Sequence, residues 1–180
     1  MSYQPSTSLM KRSDANAQDR EDGGNPVPSP TKSSSGLSLK GRALRYLAMR
    51  DYSRAELVSK LTPYAQDSAE VARTIDELAA KGLQSDERTA NAVARVGAAR
   101  YGNARIKAKL QHKGVDAHQI QAALEALEDS ELSRARAVWQ RKFGEQTDEP
   151  KEKARQIRFL VGRGFSQSVV YRVIRGAEEE

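Results

Sequence analysis

The chain has 180 residues, a net charge of +6 and a pI near 9.6, and it contains no Cys. The lack of Cys excludes a disulfide framework, a thiolate metal site and a cysteine nucleophile. No apolar run is long enough to cross a bilayer or to act as a signal peptide, so we expect a cytoplasmic protein without a membrane partner. The basic balance favours acidic or polyanionic partners.

Residues 1–37 are predicted to form a disordered tail. Four of the six prolines lie there among Ser, Thr, Asn, Asp and Gly, and no helical or alternating apolar pattern is present. Four Lys or Arg and four Asp or Glu balance each other, so the whole charge of +6 belongs to residues 38–180. We interpret the tail as a solvated extension in preference to an interaction arm.

Three capped helices are predicted between residues 38 and 84. Ser38 is the expected N-cap of the first helix. The sequences Ser53-Arg-Ala-Glu56 and Asp67-Ser-Ala-Glu70 are predicted capping boxes that open the second and third, and Gly82 ends the third. The expected apolar positions are Leu39, Ala43, Tyr46 and Leu47, then Leu57, Val58 and Leu61, then Val71, Ile75 and Leu78.

Three further helices are predicted between residues 85 and 128. Ser85 or Asp86 caps the fourth, residues 101–115 form the fifth, and Asp116-Ala-His-Gln119 is a predicted capping box for the sixth. Gly114 suits a left-handed C-cap, after which the next residue can pack back over the last turn. The expected sides are Ala92, Val93, Val96 and Arg100, then Ile106 and Leu110, then Ile120, Leu124 and Leu127.

Residues 129–180 are predicted to form the last three helices and an acidic end. Ser130 opens the seventh, residues 144–149 are a polar break, and Pro150 stands in the first turn of the eighth. Gly164 ends the eighth and Ser166 caps the ninth. The expected apolar positions are Leu132, Ala135, Val138, Trp139 and Phe143, then Ile157, Leu160 and Val161, then Val169, Val170, Val173 and Ile174.

The apolar pattern repeats three times. Leu61, Leu110 and Leu160 are 49 and 50 residues apart, and Val71, Ile120 and Val170 each follow ten residues later. No period-two alternation indicates a strand. We therefore predict an all-α protein of about nine helices, an elongated, curved array of three tandem three-helix repeats with boundaries at 38–84, 85–128 and 129–180. Such an array exposes a long face that suits binding along a fibre or groove.

No pattern of catalytic residues is present. His112 and His118 lie on neighbouring helices without the carboxylate or Cys that would complete a metal site. The chain has neither a phosphate-binding loop nor a nucleophile elbow. We expect no enzymatic activity, cofactor or metal.

Basic residues are the main candidates for a binding function. From Arg88 to Lys113 there are seven Lys or Arg and no Asp or Glu. They can be a solvated charged face or a surface for phosphates or an acidic protein, and we favour binding because mixed surfaces are commoner. The candidate binding residues are Arg95, Arg100, Arg105, Lys107, Lys109, Lys113, Arg158, Arg163 and Arg172.

Four segments in order resemble one known family. They are Tyr52-Ser-Arg-Ala-Glu-Leu-Val-Ser-Lys-Leu61, residues 82–88, residues 102–115 with Ile120, and Arg158-Phe-Leu-Val-Gly-Arg-Gly-Phe-Ser166. Together they cover residues 38 to about 176 and resemble RecX, the bacterial regulator of the RecA recombinase. Where that family often has two acids after Gly-Leu, this chain has Gln84 and Ser85.

The resemblance implies a non-enzymatic protein that binds the RecA–DNA filament in its helical groove and bridges protomers. It also implies restraint of ATP hydrolysis, filament growth and strand exchange, within recombination, DNA repair and the SOS response. We expect a monomer, with single- and double-stranded DNA open as further partners. The alternative is a helical DNA-binding protein that acts directly on nucleic acid.

Overall fold

A computed structural model describes residues 36–176 of the chain, and the predictions for residues 1–35 and 177–180 lie outside this range. The described residues form nine α-helices and one short 3-10 turn, with no strand among them. The predicted all-α class and the three tandem three-helix repeats are confirmed.

The helices group into three units of three. The first unit holds α1 (Leu39–Met49), α2 (Arg54–Leu61) and α3 (Ser68–Ala80), with a 3-10 turn over Thr62–Tyr64. The second unit holds α4 (Asp86–Ala98), α5 (Asn103–His112) and α6 (Ala117–Glu125). The third unit holds α7 (Glu131–Lys142), α8 (Pro150–Gly162) and α9 (Gln167–Arg175).

Each unit has its own apolar core. The three leucines at the first repeat position, Leu61, Leu110 and Leu160, are fully buried, and Val71, Ile120 and Val170 are almost so. The predicted repeat register is confirmed by this burial. Each core is small, so a unit buries too little apolar surface to be stable alone, and its neighbours must contribute.

One of the three predicted capping boxes forms completely. The Ser53 hydroxyl accepts from the Glu56 amide while Glu56 accepts from the Ser53 amide, both at 3.1 Å. Asp67 caps α3, but Glu70 reaches back to the amide of Gln66 instead. The Asp116 side chain accepts from the His118 amide at the start of α6, but the Gln119 side chain makes no bond to the Asp116 amide. This sequence is therefore a single N-cap and not a capping box.

The prediction that the Ser166 side chain caps α9 is wrong. Ser166 stands at the N-cap position of α9, but its side chain makes no capping bond, and its hydroxyl donates to Glu131 Oε2 at 3.0 Å. This bond links the start of α9 to the start of α7, within the third unit.

The end of α5 forms as predicted. Gly114 has a φ of +70°, and its amide donates to Gln111 while the Val115 amide donates to Leu110, the pair of bonds of a Schellman motif. Val115 is buried over the last turn.

The predicted apolar side of α4 is wrong. Ala92 and Arg100 are exposed, and Val96 is 74% exposed. The buried side consists of small residues, Thr89, Ala90, Ala94 and Gly97, with Val93 partly buried. The reason is a close approach: a Cβ on Gly97 would stand 3.0 Å from Ile106 of α5.

Two single positions were also misassigned. Val58 and Val161 are exposed to 39% and 41%, although both were predicted to be apolar anchors. Each is the neighbour in sequence or helical register of a fully buried leucine, so the buried stripe is narrower than the sequence pattern.

Successive units meet head to tail, and the two junctions are built alike. The start of α2 packs on the end of α5, and the start of α5 packs on the end of α8. At the first junction the Ser53 hydroxyl donates to the Lys113 carbonyl. At the second, the Gly102 amide donates to the Arg163 carbonyl at 3.0 Å.

An acid from the next unit completes each junction. Asp86, at the start of α4, accepts from the Arg54 amide at 2.7 Å. Glu131, at the start of α7, accepts from the Asn103 amide at 2.8 Å. Each carboxylate therefore satisfies an unpaired amide in the first turn of a helix in the preceding unit, where the helix dipole also favours it.

Candidate partner-binding surface

Four of the nine predicted binding residues line grooves at the two junctions. The first-junction groove, of about 410 Å³, lies between α2 and α5 and is lined by Lys60, Lys109, His112 and Lys113 together with Glu56. The second-junction groove, of about 350 Å³, is lined by Arg100, Arg141, Lys142 and Arg163, with Tyr101 and Phe159 among its walls. Cations therefore concentrate where one unit ends and the next begins.

A third groove, of about 380 Å³, adjoins the second-junction groove and shares Arg141 with it. It is lined by Arg95 and by the acids Glu128 and Asp129, with several alanines between them. Its mixed charge distinguishes it from the second-junction groove, which has no acid in its lining.

Lys113 is not available to solvent in the way that the sequence suggested. Its ammonium group lies 2.5 Å from Glu56 Oε1, and the two side chains are only 15% and 18% exposed. Arg50 also binds Glu56, at 2.9 Å. Lys113, one of the candidate binding residues, therefore joins the second unit to the first through Glu56.

Glu56 is the centre of this ion-pair cluster. Burial acts to raise the pKa of its carboxyl group, but hydrogen bonds from Arg50, Lys113 and the Ser53 amide outweigh it and lower the pKa to about 2. The Glu56 carboxylate is thus charged at physiological pH, where it binds Arg50 of its own unit and Lys113 of the next.

Two arginines at the second junction are held against aromatic rings. The Arg105 guanidinium stands 4.5 Å from the centre of the Tyr101 ring and donates to the Gly162 carbonyl at 3.2 Å. The Arg163 guanidinium stands 3.8 Å from the centre of the Phe159 ring. Such stacking fixes each guanidinium plane while leaving its edge able to donate to an anion.

The predicted binding residues do not all lie in one groove. Arg100 and Arg163 share the second-junction groove, Lys109 and Lys113 share the first, and Arg95 lies in the third. Lys107, Arg158 and Arg172 are exposed and line none of these grooves.

Sequence reasoning missed two cations and one buried arginine. Arg141 and Lys142, in the last turn of α7, complete the second-junction groove. Arg134 is buried and donates to the carbonyl of Tyr101 at 3.1 Å and to Asn103, and burial lowers the pKa of its guanidinium. For Arg141 and Lys142, the signal in the sequence was the pair of adjacent cations after Trp139. The interpretation of α7 rested on its apolar residues and left this pair out.

Residues 36–176 were also considered as a metal site and as a membrane span, and they fit neither. They contain no group of three or more His, Cys, Asp or Glu placed to hold a metal ion. No helix in this range is long and apolar enough to span a membrane.

Comparison with known proteins gives a consistent result. Models of the first, second and third three-helix domains of RecX match residues 40–78, 85–124 and 129–174. A protein named Regulatory protein RecX from Leptothrix cholodnii is 50% identical over 144 residues, which are 80% of this chain and 92% of that protein. Its namesake from Ralstonia nicotianae is 46% identical over 145 residues, which are 79% and 89% of the two chains.

The fold is also shared with a solved structure. The crystal structure of RecX from Lactobacillus salivarius aligns with a TM-score of 0.67 at 20% identity, over 77% of this chain and 93% of that one. The resemblance drawn from the four sequence segments is confirmed by these matches along the whole helical region. The chain belongs to the RecX family of regulatory proteins.

Proposed function

We propose that this protein binds the RecA–DNA filament and restrains its ATP hydrolysis, growth and strand exchange in recombination, DNA repair and the SOS response. In this proposal it acts in the cytoplasm as a monomer, without enzymatic activity, cofactor or membrane contact. The observation that carries the proposal is the placement of exposed cations at successive junctions of a repeat array. Membership of the RecX family supports the choice of RecA as the regulated partner.

The construction of the junctions supports binding along an extended partner. Backbone bonds such as that of the Gly102 amide to the Arg163 carbonyl fix neighbouring units against each other. Cations on separate units are then held at set distances, so little conformational entropy is lost when several bind at once. A filament offers repeated sites to such an array, and one chain that binds more than one protomer would resist rearrangements needed for growth.

Binding to the filament is tested by comparing bare single-stranded DNA with recombinase-coated DNA at the same salt concentration. We expect the protein to prefer the coated strand and to slow the recombinase's DNA-dependent ATP hydrolysis. Equal affinity for both, with the same steep loss as salt rises, would instead support direct DNA binding as the function.

The contribution of α5 is tested with the double variant Lys107→Glu and Lys109→Glu. Both side chains are exposed and neither forms an ion pair within residues 36–176. Like charges placed in an interface cost several kcal/mol, so inhibition should weaken while the fold is kept. The matched control is Arg45→Glu with Arg73→Glu, an equal charge change on exposed residues of the first unit.

Direct binding to DNA remains the second candidate function. One observation favours it: the second-junction groove is lined by four cations and no acid. This groove can serve the filament function as well, because a coated filament presents DNA together with protein.

A further inference from the structure

The repeat places opposite charges at equivalent positions of the two junctions. With the offset of 49 residues that relates Leu61 to Leu110, Asp51 corresponds to Arg100 and Glu56 corresponds to Arg105. The offset of 50 that relates Leu110 to Leu160 makes Lys113 correspond to Arg163. Two acids of the first junction are therefore replaced by arginines at the second, while the cation at the end of the packed helix is kept.

At the first junction three cations are neutralised by acids of the same chain. Arg50 and Lys113 both bind Glu56, and Arg88 binds Asp51 at 3.3 Å. Lys60 and Lys109 line the first-junction groove without an ion pair among residues 36–176, but they share that groove with the Glu56 carboxylate. An incoming polyanion would therefore meet an acid already in place.

At the second junction the cations have no such partner. Arg100, Arg105, Arg141, Lys142 and Arg163 form no ion pair with any residue in the range 36–176. Four of them line one groove, and the fifth, Arg105, stacks on the wall residue Tyr101. Cations gathered in one groove repel one another, and a bound polyanion relieves that repulsion.

We propose that the second-junction groove binds the phosphodiester backbone of single-stranded DNA directly, and that the first-junction groove does not. The inference deepens the proposed function, on which it rests, by naming the part of the protein that contacts DNA. A DNA strand carries one negative charge per nucleotide, which suits a groove where several cations stand together without an acid. Guanidinium groups fixed on aromatic rings suit phosphate oxygens, which they can bind with two parallel hydrogen bonds.

The test uses the full chain and no recombinase. Fluorescence anisotropy of a fluorescein-labelled oligothymidylate is measured over a range of salt concentrations for the parent and for the triple variant Arg100→Ala, Arg141→Ala, Lys142→Ala. Each phosphate contact on a single strand contributes about 0.7 to the slope of log affinity against log salt. Loss of three contacts should lower the slope by about 2 and, near 0.1 M salt, the affinity by about 100-fold.

The matched control is Arg45→Ala, Lys60→Ala, Arg73→Ala, which removes the same charge from exposed positions outside the second-junction groove and includes Lys60 of the first-junction groove. It should keep most of the affinity and the slope. A second variant, Arg105→Glu, restores the acid that the first junction has at this position, and it should weaken DNA binding while the helical circular dichroism stays unchanged.

Several results would overturn the proposal. One is a groove variant that binds with the parent's slope, and another is a control variant that loses as much as the groove variant. A third is displacement of the oligothymidylate by poly-glutamate at equal charge concentration, which would assign the groove to an acidic protein segment. None of these measurements involves the recombinase, so failure of DNA binding by the groove and failure of filament binding can be told apart.

Discussion

Replacing Glu56 with Gln removes the charge at the centre of the first junction while keeping the size of the side chain. The carboxyl pKa of 4.5 in its ordinary state falls to about 2 in the folded protein. At 1.36 kcal/mol for each pH unit, this difference corresponds to about 3 kcal/mol of folding stability at neutral pH. We expect Glu56→Gln to lose up to that amount, because Gln resembles the protonated acid.

The pH dependence follows from the direction of the shift. A carboxyl group with a lowered pKa stabilises the fold fully above its unfolded pKa and loses that contribution as pH falls toward its folded pKa. The stability difference between the parent and Glu56→Gln should therefore be constant above about pH 5, shrink between about pH 4.5 and 2, and vanish below that range.

The measurement is urea unfolding followed by circular dichroism at 222 nm, for both proteins at several pH values. Taking the difference between them cancels the titration of the other acids. A difference that is absent at pH 7, or that does not shrink on acidification, would refute the assignment of Glu56 as the anion that joins the two units.

Other predictions concern the cores and the second junction. Replacing Leu61, Leu110 or Leu160, which are fully buried, with Ala should lower the free energy of unfolding in urea by about 2–4 kcal/mol. A neutral result at one of them would show that its unit is misaligned in the repeat. Gly102→Ala should lower the melting temperature, because the added Cβ would lie 2.2 Å from the Gly164 carbonyl oxygen. Gly162→Ala should not lower it, because its Cβ would have no atom within 4 Å. Equal effects of the two changes would contradict the close approach at Gly102. Gln156→Met should cost about 1–3 kcal/mol and alter tryptophan fluorescence, because it removes the acceptor 2.8 Å from the buried Trp139 ring N–H; unchanged stability would mean that this bond contributes nothing.

The helices and their ends could largely be predicted from the sequence because their causes are local. Ser38, Ser53, Ser85 and Ser130 cap helices with their own hydroxyl groups, each within three residues of the bond that they make. Gly114 ends a helix because its positive φ is strained for other residues. The large apolar residues predicted the register of the repeat, because only one side of each long helix can be buried.

The face of α4 could not be predicted in the same way. Its apolar residues are Ala and Val, and both available stripes are weakly hydrophobic. The choice between them depends on α5, because Ile106 approaches Gly97 so closely that only small side chains fit. This steric limit is set by Ile106, which lies nine residues after Gly97 in another helix, so the apolar periodicity of α4 does not show it.

The surroundings of the basic residues could be predicted only in part. A run of cations without acids predicted the basic character of α5, but Lys113 is paired with Glu56, which lies 57 residues earlier. Comparing the repeats position by position could have given a warning, because Glu56 and Arg105 occupy equivalent sites with opposite charge. Arg141 and Lys142 were missed because they reach the groove only through the packing of α7 on the second unit.

The head-to-tail junction has a consequence for association between chains. A contact that joins two different surfaces does not close on itself, so free copies of both surfaces at the ends of the array could in principle polymerise into a fibre. Here both ends differ from the junction pattern. After α2, the 3-10 turn with Pro63 stands where the other units have a glycine turn, and α8 begins three residues earlier than its counterparts, with Pro150, which lacks an amide hydrogen. The bonding that links units within one chain is thus not offered by its ends to a second chain.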